Sequence, residues 1–210
     1  MNFETPSAKK IRKELLAHND LRVDNYFWLN NKNDERVINY LDSENIYTKQ
    51  VLRNTEELQK RLFGEMKSRI KKDDMSVPYF FNEYWYIKRF EKGKDYPIYA
   101  RKFKSLDNEE EILIDVNKLA KKYKYYSIGG LSVSPDNKIL AFSFDTLSRR
   151  LYSIKFLDLE SRKYSKETIK NTTGSITWAN DNKTVFYSKK EDITLRVNKI
   201  FRHEINSDSK

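Results

Sequence analysis

The serines and glycines of the sequence limit the chemistry it could carry. A serine nucleophile of the hydrolase type stands on a sharp strand-to-helix turn, between glycines at the spacing G-x-S-x-G. Gly129-Gly130 precede Ser132, but the second flanking glycine is missing. Gly174-Ser175 does not fit the pattern either. We therefore assign no serine of this sequence as a nucleophile.

The second requirement for serine hydrolysis is a histidine held by a carboxylate. Only two histidines are present, His18 and His203. His18 falls in a polar leading segment, and His203 comes at the end of a predicted strand near the C-terminus. We interpret both as structural residues and predict no catalytic residue in this chain.

Metal and cofactor sites are also not predicted. The sequence has no cysteine, which excludes disulfides, cysteine-ligated zinc and a cysteine nucleophile. Asp107 and Glu109 to Glu111 form an acidic run, but a calcium loop needs alternating oxygen ligands and a glycine. A solvated turn is the better interpretation, and there is no glycine loop of the kind that binds phosphate. We expect no metal and no cofactor.

The excess of basic over acidic residues in the chain allows two interpretations. The formal net charge is +10, and Lys121 to Tyr126 mixes lysines with tyrosines, as in grooves that bind single-stranded nucleic acid. The positive charge is scattered, however, which favours an ordinary lysine-rich surface. We predict no nucleic-acid partner, and nucleic-acid binding is kept as a third hypothesis behind the two functions given below.

Composition points to a folded protein with a highly charged surface. Of the 210 residues, 38% are hydrophobic and 34% are charged, and only 5 glycines and 4 prolines occur. No apolar run reaches the length of a signal peptide or of a membrane span. The expectation is a cytoplasmic protein without a membrane partner.

Helical periodicity covers the segment from Asp34 to about Ile70. Apolar residues recur every four positions in its second half, at Leu58, Leu62, Met66 and Ile70. Two helices are predicted, with a break near Arg53. Asn54, with Glu57 three residues later, resembles the capping pair that begins a helix. The first 33 residues are predicted to be irregular.

After Pro78 the pattern changes to short strands separated by turn residues. The predicted strands are 84–90, 96–103, 112–116, 125–133, 139–144, 151–157, 166–169, 175–178, 185–188 and 197–203. Residues 133–143 are similar to residues 178–188, each with an Asp-Asn-Lys turn between two strands, at an offset of 45 residues. A strand-only repeat of this length is typical of propeller blades.

An ordered series of motifs connects the chain to a known family. The leading segment has the spacing H-x-x-x-R-x-D-x-Y-x-W-L, carried by His18, Arg22, Asp24, Tyr26, Trp28 and Leu29. Further matching stretches are Tyr40-Leu41, Glu44-Asn45, Tyr47, Glu65 to Pro78, Tyr96 to Arg101, Ile112 to Asp115, Ser134 to Asp136, Asp145, Trp178-Ala179, Asp181 and Arg202-His203. Together they resemble the N-terminal part of oligopeptidase B, in the prolyl oligopeptidase family of serine peptidases.

Two positions depart from that family pattern. Ser148 stands where the family has a glycine turn after the aspartate that matches Asp145. His203 to Ser207 replaces a Leu-Gly-Thr-like step, and Asn206 can take over the left-handed conformation of a glycine.

The resemblance implies a mainly β fold with an N-terminal α-helical arm and an incomplete β-propeller. The expected domains are the arm, 1–72, and the first two to three blades of a seven-bladed propeller, 73–210. The expected blades are 73–120, 121–170 and the beginning of a third at 171–210. In the family a C-terminal α/β-hydrolase domain follows and cleaves short peptides after Lys or Arg. That domain and short basic peptides are the partners implied.

Two functions are compatible with these expectations. One is the N-terminal part of a peptidase, inactive alone, or a subunit of a split peptidase that a second polypeptide completes. The other is a non-catalytic protein-interaction module. Both functions predict exposed apolar surface. We expect Tyr26 and Trp28 to be either exposed or packed only on local helices. We expect Val185, Phe186 and Ile200 to lie partly in water.

Overall fold

The computed structural model describes residues 4–191 and 194–207. The chain separates into two compact units, Met1–Ile70 and Lys71–Lys210. The mainly β architecture with helices near the N-terminus agrees with the predicted fold class. The division into domains at 72 and 73 stays a prediction.

The first unit begins with a β-hairpin that the sequence analysis missed. Strand β1, Lys13–Ala17, pairs antiparallel with β2, Asp20–Asp24. His18 and Asn19 form the two-residue turn between them, with φ of 52° and 62°. Paired left-handed residues match the twist of hairpin strands. The prediction that the first 33 residues are irregular was wrong for this hairpin, and His18 lies in its turn.

Aromatic residues follow the hairpin in a short 3-10 helix, Phe27–Asn30. The indole nitrogen of Trp28 donates to the Lys9 carbonyl over 2.8 Å, and the Arg36 guanidinium lies 5.8 Å from the ring centre. Tyr26 is 43% exposed. These observations confirm the prediction of exposure for Tyr26 and of local packing for Trp28.

Two helices complete the first unit. Helix α1, Glu35–Leu52, begins at Asp34, whose carboxylate accepts from the Arg36 amide over 2.9 Å. A 3-10 turn, Arg53–Thr55, separates it from α2, Glu56–Ser68, so the break predicted near Arg53 is confirmed. The capping pair predicted at Asn54 was wrong, because Asn54 lies inside the 3-10 turn. The apolar side chains predicted on one stripe of α2 are exposed: Leu58, Leu62, Met66.

The second unit opens with a four-stranded antiparallel sheet, the first blade. Its strands lie in the order β3-β4-β5-β6. Helix α3, Val116–Ala120, follows it, and neither α3 nor β3 was predicted. Asn82 and Glu83 form a tight left-handed turn between the first two strands. The strands are β3 Tyr79–Phe81, β4 Tyr84–Arg89, β5 Ile98–Phe103 and β6 Glu110–Asp115.

A six-stranded antiparallel sheet follows, in the order β12-β11-β10-β9-β8-β7. The strands are β7 Ser127–Val133, β8 Ile139–Asp145, β9 Tyr152–Asp158, β10 Ile169–Trp178, β11 Thr184–Lys190 and β12 Val197–Glu204. Strand β10 pairs with β9 near Ile169 and with β11 near Trp178. It is therefore the last strand of the second blade (β7–β10) and the first strand of the third (β10–β12).

The continuity of β10 corrects two predictions. Residues 166–169 and 175–178 were predicted as separate strands, and the blade boundary was placed at 170 and 171. Asn171, with φ of 59°, and Gly174, with φ of 97°, bend the chain at the two shifts of register, with β9 and with β11 respectively. The bend lets one strand serve two blades, so the boundary lies inside β10.

Two apolar cores lie on opposite faces of β8. Leu140 and Phe142 pack with the first blade, in a core that includes Leu113 and Val116. Ala141 points the other way, into a core that joins the second and third blades. The buried members of this second core are Ala141, Ile154, Phe156, Ile169, Val185 and Tyr187. Neighbouring blades pack on one another through these two cores.

Ser148, a residue with a side chain, lies in the left-handed region with φ of 57°. We expect Ser148→Gly to raise the free energy of unfolding by about 0.5–1 kcal/mol, because the relief of left-handed strain exceeds the added entropy of the unfolded chain. The matched control Ser153→Gly, in β9, should destabilise instead. Urea unfolding measures the free energy of unfolding of both variants. Equal destabilisation by the two substitutions would contradict the claim that the backbone of Ser148 is strained.

Candidate functional site

Two serines that come close to glycines in the sequence are not placed as a hydrolase nucleophile would be. Ser132 and Ser175 lie in strands β7 and β10, not on strand-to-helix turns. Across the same residues, no group of three or more His, Asp or Glu side chains is arranged to hold a metal. No helix in this described part is long and apolar enough to cross a membrane.

His203 is buried and is held by a carboxylate, which the sequence did not reveal. Its Nε2 lies 2.8 Å from Glu167, and its ring stacks on Phe156 with 6.3 Å between centres. The Glu167 carboxylate also accepts from the Asn206 amide over 3.1 Å. The pair thus attaches the end of β12 to the segment that precedes β10. Its partners are a carboxylate and an aromatic ring, and the structural role of His203 stays a prediction.

Polar side chains also join neighbouring blades. The first interface lies between the first and second blades, and the second interface lies between the second and third. At the first interface, the side-chain amide of Asn82 donates to the Pro135 carbonyl over 2.8 Å, and Asn137 donates back to the Asn82 carbonyl over 3.2 Å. Both asparagines have left-handed backbones. Two turns from neighbouring blades therefore hold one another through reciprocal amide bonds.

Arg101 supports the first interface from within. Its side chain is 3% exposed, contacts Glu111 over 2.6 Å and donates to the Asn137 carbonyl over 3.0 Å. The guanidinium also lies 3.9 Å from the centre of the Tyr84 ring. Burial alone would lower the pKa of Arg101, but the hydrogen bond and charge of Glu111, together with Tyr84 and Tyr86, raise that pKa overall. The residue stays a cation and fixes the turn of the second blade.

The second interface depends on a buried serine. Ser143 accepts from the Gly130 amide over 2.8 Å and donates to the Gly174 carbonyl over 2.7 Å. A Cβ on Gly130 would lie 2.7 Å from the Gly174 carbonyl oxygen, so the inner strands of the two blades are in very close approach. The Trp178 indole crosses the same interface and donates to the Ser132 carbonyl over 2.9 Å.

The repeated turn continues this pattern into the third blade. Asn182 has φ of 60°, matching Asn137 at 64°, and its side chain accepts from the Asp136 amide over 2.9 Å. Asp181 accepts from the Thr184 hydroxyl and from the amides of Lys183 and Thr184, which lowers its pKa to about 2. The 45-residue repeat thus reproduces the structure of the turn as well as its sequence.

The outward face of the third blade, the open face, carries Phe186 and Ser188 on β11 and Ile200 and Arg202 on β12. Phe186 is 40% exposed and Ile200 is 80% exposed, as predicted. Val185 was predicted to be exposed as well, and this was wrong. Alternation along β11 turns Val185 to the other side, where it is fully buried in the core of the second interface.

Comparison with known families agrees with this architecture. The family model for the prolyl oligopeptidase N-terminal beta-propeller domain matches residues 6–210. The chain belongs to this family. The resemblance inferred from the leading motif and the strand repeat is confirmed.

The most similar relatives include two curated peptidases and two solved oligopeptidases. Dipeptidyl aminopeptidase BI from Pseudoxanthomonas mexicana is 34% identical over 95% of the chain, and Protease 2 from Moraxella lacunata is 30% identical over 98%. Oligopeptidase B from Leishmania major superposes with a TM-score of 0.85 at 30% identity, over 97% of the chain. Oligopeptidase B from Trypanosoma brucei, with bound antipain, gives 0.83 at 27%, over 98%.

The chain spans about a third of the length of each of these proteins: 30% of the first, and 31% of each of the other three. The part shared with them is the N-terminal propeller region.

The Ser143 bridge gives a direct test of the second interface. We expect Ser143→Ala to lower the free energy of unfolding by about 1–3 kcal/mol, because it leaves the half-buried Gly130 amide and the buried Gly174 carbonyl without this partner. The matched control Ser153→Ala, on a half-buried strand position, should stay within about 0.5 kcal/mol of the wild type. Urea unfolding measures both variants. Equal changes in the free energy of unfolding for the two variants would show that the hydrogen bonds of Ser143 do not stabilise the second interface.

Proposed function

We propose that this chain is the N-terminal propeller part of an oligopeptidase B-like serine endopeptidase, which in intact form cleaves short peptides after Lys or Arg. The observation that carries the proposal is the family match over residues 6–210, together with 30% identity and a TM-score of 0.85 to an oligopeptidase B. In this proposal the chain contributes a scaffold, and the nucleophile, base and oxyanion donors belong to the α/β-hydrolase domain.

The surfaces of each unit support a scaffolding role. On α2 the apolar stripe Leu58, Leu62 and Met66 is exposed, and on the third blade Phe186 and Ile200 are exposed. Large apolar side chains grouped on one face mark a place where another surface packs. The partners proposed are the α/β-hydrolase domain, the remaining blades and the short basic peptides that the intact enzyme cleaves.

The same surfaces support an alternative function. A second polypeptide could supply the catalytic domain, so that the chain is one subunit of a split peptidase, or the chain could act as a non-catalytic interaction module. A neighbouring reading frame with G-x-S-x-G in a hydrolase context would favour the split peptidase. The proposal also includes a cytoplasmic location, which suits a protein without cysteines, and it includes no nucleic-acid or membrane partner.

We expect the purified chain to leave an Arg- or Lys-linked fluorogenic dipeptide uncleaved and to remain unlabelled by a serine-reactive fluorophosphonate. The reason is that one of its histidines, His18, lies in a hairpin turn and the other, His203, is paired with Glu167. Hydrolysis that persists through repurification and scales with the concentration of the chain would contradict catalytic inactivity.

The positive test is a chimera in which residues 6–210 replace the matching region of Moraxella lacunata Protease 2. We expect this chimera to cleave Arg- and Lys-linked substrates in preference to Ala-linked ones. The same enzyme with the region deleted is the matched control and should be inactive. A folded chimera without activity, beside an active parent, would contradict the proposed function.

A further inference from the structure

A cavity of about 320 Å³ lies beside the end of helix α3, against the second blade. Its lining comes from the last residues of α3 and the segment that follows, from β8 and β9, and from the segment that precedes β10. Part of the run Lys121 to Tyr126, in which lysines and tyrosines are mixed, belongs to this lining. That run has no role in the proposed function.

Aromatic rings form the walls of the cavity. Tyr126 and Phe142 are buried, and the ring of Tyr126 stacks on that of half-buried Phe144 with 5.5 Å between centres. Tyr123 is 48% exposed and Tyr164 is 47% exposed, which places both where the cavity meets solvent. Their ring centres lie 5.6 Å from Tyr126 and 6.1 Å from Phe142, respectively. Walls of this kind suit a flat apolar group.

Tyr126 brings a free hydrogen-bond donor to these walls. Its side chain is only 5% exposed, yet within residues 4–191 and 194–207 its hydroxyl makes no hydrogen bond. Burial raises the pKa of Tyr126, and the nearby phenols of Tyr123 and Tyr164 raise it further. The hydroxyl therefore lies near theirs, on the cavity side, and stays protonated at neutral pH. A buried phenol normally finds a partner, so this donor is available to a ligand.

Positive charge surrounds the aromatic walls, and no acidic side chain from the described part of the chain lines the cavity. Lys155, on β9, is half-buried and has no ion-pair partner among the described residues. Lys118 has a carboxylate nearby, that of Asp115 at 3.8 Å, but its side chain is 75% exposed. Uncompensated ammonium groups at one cavity favour an anion. The lysines in the lining are Lys118, Lys121, Lys122 and Lys155.

We propose that this cavity binds a small aromatic anion of the aryl phosphate class. The flat ring of the ligand lies between Tyr123 and Tyr164, the anionic group meets Lys155 and the lysines after α3, and the Tyr126 hydroxyl donates to the ligand. The lysines repel a short basic peptide, which is the substrate class of the proposed function. The inference therefore goes beyond peptide cleavage and adds a separate ligand site.

Two other kinds of occupant fit these features less well. An aromatic box can hold a quaternary ammonium ion, but the lysines around this one repel a cation. A single-stranded nucleic acid needs a groove along which phosphates and bases follow one another. Here the lysines and tyrosines converge on one cavity of about 320 Å³, which suits a single small anion.

Isothermal titration calorimetry of the full chain with naphthyl phosphate tests the proposal. We expect naphthyl phosphate to bind with one site per chain. Naphthol has the ring without the charge, and inorganic phosphate has the charge without the ring. Each should bind at least about tenfold more weakly, because each loses either the charge-assisted contacts or the stacking. This comparison uses the unsubstituted chain, so it does not depend on whether a variant folds.

Substitutions locate the site. Lys155→Met should weaken naphthyl phosphate binding by about tenfold and leave naphthol binding no weaker, because it removes the charge and retains the apolar stem. Tyr126→Phe keeps the ring but lacks the hydroxyl, and we expect about threefold weaker binding. The matched control Lys170→Met removes one exposed charge from β10, outside the cavity, and should stay within about twofold of the wild type.

Three results would overturn the inference. The first is naphthol binding as tightly as naphthyl phosphate, which would mean that the lysines do not select an anion. The second is an equal loss of affinity in Lys155→Met and Lys170→Met, which would indicate general attraction by net charge. The third is tighter binding of tetramethylammonium or of oligothymidylate than of naphthyl phosphate, which would assign the cavity to a cation or to a nucleic acid. None of these results bears on the proposed peptidase function.

Discussion

The bend within strand β10 is the constraint on which the arrangement of the second and third blades depends. The part of this strand up to Thr172 pairs with β9 and the part from Thr172 onwards pairs with β11, so one strand passes from the second blade to the third within its own length. Asn171 and Gly174 make the change possible, because both adopt left-handed backbones at low cost. The bend also brings the Gly174 carbonyl against Ser143 and Gly130, so that backbone geometry and the polar contact of the second interface have the same origin.

Much of this fold could be predicted from local sequence patterns. The helix break near Arg53 and the long strands followed from periodicity, and the turns at Asn137 and Asn182 from the Asp-Asn-Lys repeat. The hairpin at His18-Asn19 was missed because its strands are short and mostly exposed, and the apolar alternation in β2 consists of only Leu21 and Val23. The continuity of β10 was missed because polar residues in its middle resemble a loop, although they form a bulge.

The contacts that matter for assembly were beyond sequence reasoning. His203 and Glu167 are 36 residues apart, and Asn82 and Asn137 are 55 apart. No spacing rule connects such pairs, since only the packing of whole blades brings them together. The exposure of Val185 was mispredicted for a different reason: neighbouring residues of a strand face opposite sides, so Val185 and Phe186 cannot both lie on the open face.

The buried polar side chains of the second unit link its strands and turns. Within the described residues, buried polar groups such as Ser143, Arg101 and His203 join strands and turns, and their bonds run between blades or along blade ends. Such groups define one arrangement of neighbouring blades, because any other arrangement leaves them buried without partners. A scaffold of this kind gives each blade the geometry against which the next one packs.

The most direct test of this account is the cost of Gly174→Ala. A Cβ there would lie 2.9 Å from the Tyr152 ring, in a backbone with φ of 97°. Gly93→Ala is the matched control, because Gly93 also has positive φ but open space around it. By urea unfolding, Gly174→Ala should cost about 2–4 kcal/mol and Gly93→Ala about 1–2 kcal/mol. Equal costs would contradict the claim that close approach at the β10 bend holds the second and third blades together.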